Sequence, residues 1–172
     1  NNNFSWFQEI ASKISESNQI RIIKLEKDNL DQRSYSNLIA SLEFWDLFQC
    51  EKILLYQEDS MIFKNNIQDF VQYDYIGAPW PKSYQGPRTN KIGVGNGGFS
   101  IRSPEIMRQC INIFQENKKR IIDNKINIFP EDLFFTRMMI DTGIGKLPTW
   151  EEARKFSQEN VKSDDPLGGH QF

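Results

Sequence analysis

The chain has 172 residues, of which 38% are apolar and 13% aromatic, with a formal net charge of −2 and a pI near 5.5. That is material for one domain with a sizeable core, and too apolar for an intrinsically disordered chain. The faintly acidic balance argues against a dedicated nucleic-acid binder, and no apolar run approaches the roughly 20 residues that span a bilayer, so a cytoplasmic protein is expected.

Phe4, Phe7, Ile10, Ala11 and Ile14 recur at helical spacing across the opening 17 residues. Ile20 to Leu25 reads as a strand. Asp31 is placed to cap a long helix with Tyr35, Leu38, Ile39, Leu42, Trp45 and Phe48 on one face. That helix leads into Ile53, Leu54, Leu55 and Tyr56, an apolar run suited to an interior strand buried on both faces. Strand, helix and strand with short links predict a parallel, right-handed βαβ unit. A doubly wound domain opens on a strand, so a first strand is expected to be missing. Residues 1–172 are then one domain, or a piece of a larger protein.

The apolar run ends at Gln57, Glu58, Asp59 and Ser60. In open parallel sheets, ligands bind beyond the carboxyl ends of the strands. Carboxylates there would meet a hard cation and its phosphate. The same four residues also suit a plain surface turn. Met61 to Phe63 can continue as an extended segment, and Asn65 to Tyr73 as a short helix. From Gly77 to Gly98 the chain is rich in proline and glycine, too rich for regular structure. It ends in Gly95, Asn96, Gly97 and Gly98 before a strand at Phe99 to Arg102. These glycines serve either a tight turn or a close approach of backbone to ligand.

Ser103, Pro104 and Glu105 form a helix start, and Ile106, Cys110, Ile111 and Phe114 give that helix a buried face. Pro130, Glu131 and Asp132 start another, with Phe134, Phe135, Met138 and Met139 inward and Gly143 as the stop. Glu151 to Phe172 reads as a polar, irregular tail carrying His170, the one histidine. Cys50 and Cys110 lie in apolar helical patterns and are read as reduced core residues.

Taken in order, YQEDS (56–60), YDYIGAPW (73–80), VGNGGFSIR (94–102), PEDLFF (130–135) and GGHQF (168–172) resemble a glycosyltransferase-like family of uncharacterised proteins from giant viruses and some microbes. That family is similar to GT-A nucleotide-sugar transferases, and the similarity covers Ile20 to Phe172. It implies an α/β fold, a GT-A-like (Rossmann-like) mostly parallel sheet flanked by helices. It implies a metal-dependent glycosyltransferase that moves a sugar from a UDP-linked nucleotide-sugar donor to a glycan or protein hydroxyl, with manganese or magnesium as cofactor.

Through the resemblance, Asp59 matches the metal-binding second aspartate of an Asp-x-Asp motif. Gln57 replaces the first, with Glu58 between them; an amide accepts a hydrogen bond but adds no charge. His170 matches the late histidine that completes the metal site. Asn96, Gly97 and Gly98 match the lining of the sugar and acceptor cleft, and Trp80 and Tyr84 are available for stacking on a sugar. Glu131 and Asp132 match the acidic pair that supplies the base in inverting relatives, and Asp132 is the preferred base. The loop from Pro79 to Gly95 is expected to order when donor binds. Two other readings compete: a glycoside hydrolase with paired carboxylates, and a non-catalytic carbohydrate-binding or structural module with a degenerate transferase fold.

Overall fold

The computed structural model describes residues 2–14, 19–25, 29–84, 93–117 and 130–171. The chain divides into two compact units, Asn1–Asp31 and Gln32–Phe172. In the first, α1 (Asn2–Lys13) is the expected helix. Ile20 to Leu25 forms no strand. Its β-branched residues favour a pleated, half-buried surface, but Ile20 and Ile23 are 40% and 45% exposed. Without that strand the predicted βαβ unit does not exist.

The second unit begins with α2 (Gln32–Ile39) and α3 (Leu42–Trp45), two helices where the periodicity predicts one. Ser41 makes the break: its hydroxyl donates to the Leu38 carbonyl (2.8 Å) and accepts from the Phe44 N–H (3.3 Å), closing one helix and capping the next. Then come β1 (Ile53–Tyr56), β2 (Ser60–Ile62), β3 (Tyr75–Gly77), β4 (Phe99–Arg102) and α4 (Pro104–Glu116). They are followed by α5 (Glu131–Thr142), α6 (Trp150–Phe156), β5 (Ser157–Gln158) and β6 (Gly168–His170). Gly143 ends α5 in the left-handed conformation (φ 71°), as the stop signal predicts. The span 65–73 contains a 3₁₀ turn, Ile67–Asp69, where a short helix is predicted.

The strands form two three-stranded sheets, ordered β1-β4-β3 and β2-β6-β5. In the first, both pairings are antiparallel. In the second, β2 pairs antiparallel with β6, and β5 runs parallel to β6 over two residues. The expectation of a GT-A-like, mostly parallel sheet is therefore wrong, and β1 is an edge strand instead of an interior one. The physical reason is that an apolar run reports burial and carries no information on strand direction.

The two-faced burial expected of Ile53 to Tyr56 is not found there, where three residues are half-buried and Tyr56 is exposed; the fully buried strand is β4. Side chains alternate across a sheet. Ile53 and Tyr75 face a core with Ile39, Trp45, Met107, Phe134 and Phe135. Leu54, Ile76, Phe99 and Ile101 face a second core with Phe70, Phe156 and Leu167. Within the first core Trp45 meets Phe135 edge to face (5.8 Å), and within the second Phe99 stacks on Phe156 (5.1 Å). Each such ring is worth about 1.5–3 kcal/mol of burial. The alternation has one polar consequence. With Phe99 and Ile101 on one face, Ser100 and Arg102 point to the other, and both are fully buried.

The tail is also corrected. Its polar sequence hides a helix start in which the Thr149 hydroxyl accepts from the Glu152 N–H and the Glu152 carboxylate accepts from the Thr149 N–H. Cys110 is buried as expected, whereas Cys50 is exposed. Among the described residues, no helix is long and apolar enough to cross a membrane.

Candidate functional site

Asp59 and His170 come together through strand pairing. The Gln57 N–H bonds the Gly98 carbonyl (3.0 Å), extending the β1–β4 ladder by one residue. The Ser60 N–H then closes a turn onto the Gln57 carbonyl (3.0 Å), with Glu58 and Asp59 at its tip. Ser60 is registered opposite His170 in the β2–β6 pair, and the Gln171 N–H bonds the Asp59 carbonyl (3.3 Å). Asp59 Oδ1 thus stands 3.1 Å from His170 Nε2.

On the other side of the ring, His170 Nδ1 lies 3.1 Å from Glu159 Oε2. The parallel β5–β6 register pairs Ser157 with Gly168 and Gln158 with Gly169, so the next residue along, Glu159, reaches His170. His170 is 5% exposed. Both ring nitrogens and Glu159 Oε2 are buried at these short separations, yet none has an aligned hydrogen-bond partner. Burial works against a charged ring, but Glu159 and then Asp59 outweigh it and hold the His170 pKa above its ordinary value.

A second polar group forms at the start of α5. Arg102 Nη2 donates to Glu131 Oε1 (2.8 Å), and its Nε donates to the Ser100 hydroxyl (3.0 Å). The guanidinium also lies 4.5 Å from the centre of the Tyr75 ring. Glu131 is therefore committed to a buried ion pair. Asp132 has no such partner; its Oδ1 accepts from the Leu133 N–H at 2.7 Å. Burial, reinforced by the charge of Glu131, pushes the Asp132 carboxyl up to about 7. Arg102 and the Leu133 N–H oppose the rise, and Glu159 adds to it.

Gly97 and Gly98 join the two groups. A Cβ on Gly98 would run into the His170 imidazole. One on Gly97 would meet Arg102 Nη2 and Glu131 Oε1, each at 2.7 Å, and Asp132 Cβ at 3.5 Å. Neighbouring Cα atoms are about 3.8 Å apart, so one peptide unit is flanked by both acidic groups. These glycines are required for close approach of side chains, an alternative to the turn that sequence alone also allowed.

The remaining sequence-predicted residues are placed as follows. Gln57 is half-buried, and its side-chain amide donates toward the Tyr35 hydroxyl oxygen, which works against the rise of the Tyr35 pKa. Glu58 is exposed. Asn96 is 5% exposed, and its Nδ2 has no partner. Trp80 is 8% exposed, so its ring is not an open stacking platform; its carbonyl accepts from Trp150 Nε1 (2.9 Å). Residues 85–92 of the loop expected to order lie outside the described residues. A cleft of about 570 Å³ lined by Lys64, Asp69, Tyr73, Glu152 and Arg154 contains none of the predicted residues.

Sequence reasoning missed three members. Glu159 sat in a segment read as irregular tail, and Arg102 at the end of a predicted strand to which no role was given. Tyr35, read as a core position of a helix, has its hydroxyl pKa raised by burial and feels the charges of Arg102, Glu131 and Asp132. The one available signal was the cation ending the Phe99–Arg102 run, because a buried strand admits an arginine only against an acid.

The donor set can be tested against a divalent cation. Two ligands at right angles, each about 2.1 Å from a shared ion, stand about 3.0 Å apart, close to the 3.1 Å between Asp59 Oδ1 and His170 Nε2. The orphaned Nε2 and the half-exposed Asp59 carboxylate (48%) suit an ion reached from solvent. No three His, Cys, Asp or Glu side chains converge as a metal-binding group among the described residues. The fit is thus to an ion held by one carboxylate and one imidazole nitrogen and completed by water or phosphate oxygens.

Residues 19–170 match the family described as Protein of unknown function (DUF5672). No curated protein and no solved structure matches the chain significantly.

Proposed function

We propose, from the premise that the chain belongs to this family, that it is a metal-dependent glycosyltransferase moving a sugar from a nucleotide-sugar donor, UDP-linked, to a hydroxyl of a glycan or protein. The observation carrying this reading is the juxtaposition across Gly97 and Gly98. On one side stand Asp59 and His170, 3.1 Å apart; on the other is Asp132, a carboxyl poised near neutrality. The reading rests on these side chains and not on the sheet.

Asp59 and His170 would hold manganese or magnesium, which supplies positive charge to the departing diphosphate. Asp132 serves as the general base. An acceptor O–H gives its proton to an Asp132 oxygen as the acceptor oxygen bonds the anomeric carbon. The bond from that carbon to the diphosphate oxygen breaks, and its electron pair leaves on the phosphate. A base is most effective with a pKa near the working pH, which the burial of Asp132 beside Glu131 supports. Glu131 positions the start of α5 through Arg102. Gln57, held by Tyr35, presents an amide toward ribose or metal-bound water without adding charge.

Thermal melting with manganese and UDP, singly and together, tests the reading. A rise in Tm when both are present, exceeding either alone, is expected. No rise with any nucleoside diphosphate and manganese sinks it in favour of a non-catalytic carbohydrate-binding module.

A further inference from the structure

We infer that Glu159 is a positioning residue: it accepts the Nδ1 proton of His170 and so keeps the Nε2 lone pair turned toward Asp59. The inference builds on the proposed cation site but concerns a residue that reading does not need.

Three observations carry it. Glu159 Oε2 and Asp59 Oδ1 lie on opposite sides of one ring, each 3.1 Å from a different nitrogen. The two carboxylates live in different media: the Glu159 side chain is 13% exposed, and that of Asp59 is 48% exposed. Finally, Glu159 Oε2 is buried without an aligned donor, and His170 Nδ1, likewise buried and unpartnered 3.1 Å away, needs only a small turn of the ring to supply one. A buried carboxylate oxygen lacking a donor is far more costly than one that water can reach. A neutral imidazole has one N–H to give, and the greater need is at Glu159. The proton therefore settles on Nδ1, and Nε2 is left as a bare acceptor facing the exposed carboxylate. That is the arrangement in which a histidine ligates a metal while its other nitrogen is held by a carboxylate. Strand register fixes the geometry: Gln158 opposite Gly169 delivers Glu159 to His170 with no loop between them.

His170 is the only histidine, so ¹⁵N-histidine spectra report on it alone. In metal-free protein, in buffer alkaline enough to neutralise the ring, the wild type is expected to show the Nδ1–H tautomer. Glu159→Gln keeps an acceptor oxygen and is expected to retain that tautomer. Glu159→Ala is expected to lose it and to weaken manganese binding, measured calorimetrically, by roughly 10–100-fold, against only a few-fold for Glu159→Gln.

A wild-type ring protonated on Nε2 overturns the inference. So does a Glu159→Ala protein with unchanged tautomer and manganese affinity. Should Glu159→Ala fail to fold, the wild-type and Glu159→Gln spectra decide the question. If the Nδ1–H tautomer depends on Glu159 but wild type binds no manganese with or without nucleotide, the positioning role stands and the transferase reading falls.

Discussion

Replacing Asp132 by Asn tests the site through stability and catalysis at once. The Asp132 carboxyl is pushed up from 3.8 to about 7 in the folded protein, by burial first and then by Glu131. A raised carboxyl stabilises the fold while it is protonated. Relative to alkaline conditions, its contribution is fully present below about pH 3.8 and is lost as pH rises through about 7. Three pKa units at 1.36 kcal/mol each set a ceiling of about 4 kcal/mol. Asp132 is only half-buried, and solvent screening discounts that ceiling to about 2 kcal/mol.

Asn keeps an oxygen for the Leu133 N–H and cannot ionise. The variant should match wild type near about pH 4 and exceed it by about 2 kcal/mol near about pH 8. Urea unfolding of both proteins across this range measures the difference, in which other titrating groups cancel. Turnover should meanwhile fall by roughly 10²–10⁴-fold with donor binding nearly unchanged. A stability difference independent of pH would refute the claim that its half-buried setting beside Glu131 raises the Asp132 carboxyl, and full turnover would remove it as the base.

Asp59→Ala and His170→Ala should each abolish manganese-dependent UDP binding in calorimetry while leaving the far-ultraviolet circular dichroism intact; two partial, additive losses would separate their roles. Gly98→Ala drives a methyl group into the His170 ring, so manganese affinity should fall sharply and stability by about 1–3 kcal/mol; unchanged affinity would mean the ring has another place to sit. Arg102→Met leaves Glu131 buried and unpaired and should cost about 3–5 kcal/mol in urea unfolding, most of it recovered when Glu131→Leu is added. No recovery in the double variant would show that the Arg102 loss acts through Ser100 or Tyr75 instead.

What the sequence made legible divides along a physical line. Helix starts and stops at Pro104, Glu131 and Gly143 were readable because capping and backbone preferences are local. The strand at Phe99 to Arg102 was readable from its composition. Strand direction was not, since an apolar run such as Ile53 to Tyr56 satisfies a parallel interior and an antiparallel edge equally well. The helical tail at Trp150 to Phe156 and the two-residue strand at Ser157 were hidden because short elements there are held by tertiary pairing. Asp59 and His170 were singled out together through resemblance alone; no spacing rule links residues on separate strands. Glu159 was invisible for the same reason, its role depending on the register of β5 against β6.

The β2–β6 pairing also bears on the order in which the protein folds. Asp59 and His170 are 111 positions apart (170 − 59) and meet only when Ser60 aligns with His170. Closing so long a loop is entropically slow to be rewarded, and contacts of this separation lower folding rates. The packing of α3 on α2 and on α4 around Trp45 spans shorter separations and can condense first. An intermediate with that packing formed and β6 undocked would have native-like helical content and yet no paired Asp59 and His170. Manganese-dependent fluorescence or calorimetric signals should then develop later than helical circular dichroism during refolding, so that the site acts as a clock for the final docking of β6.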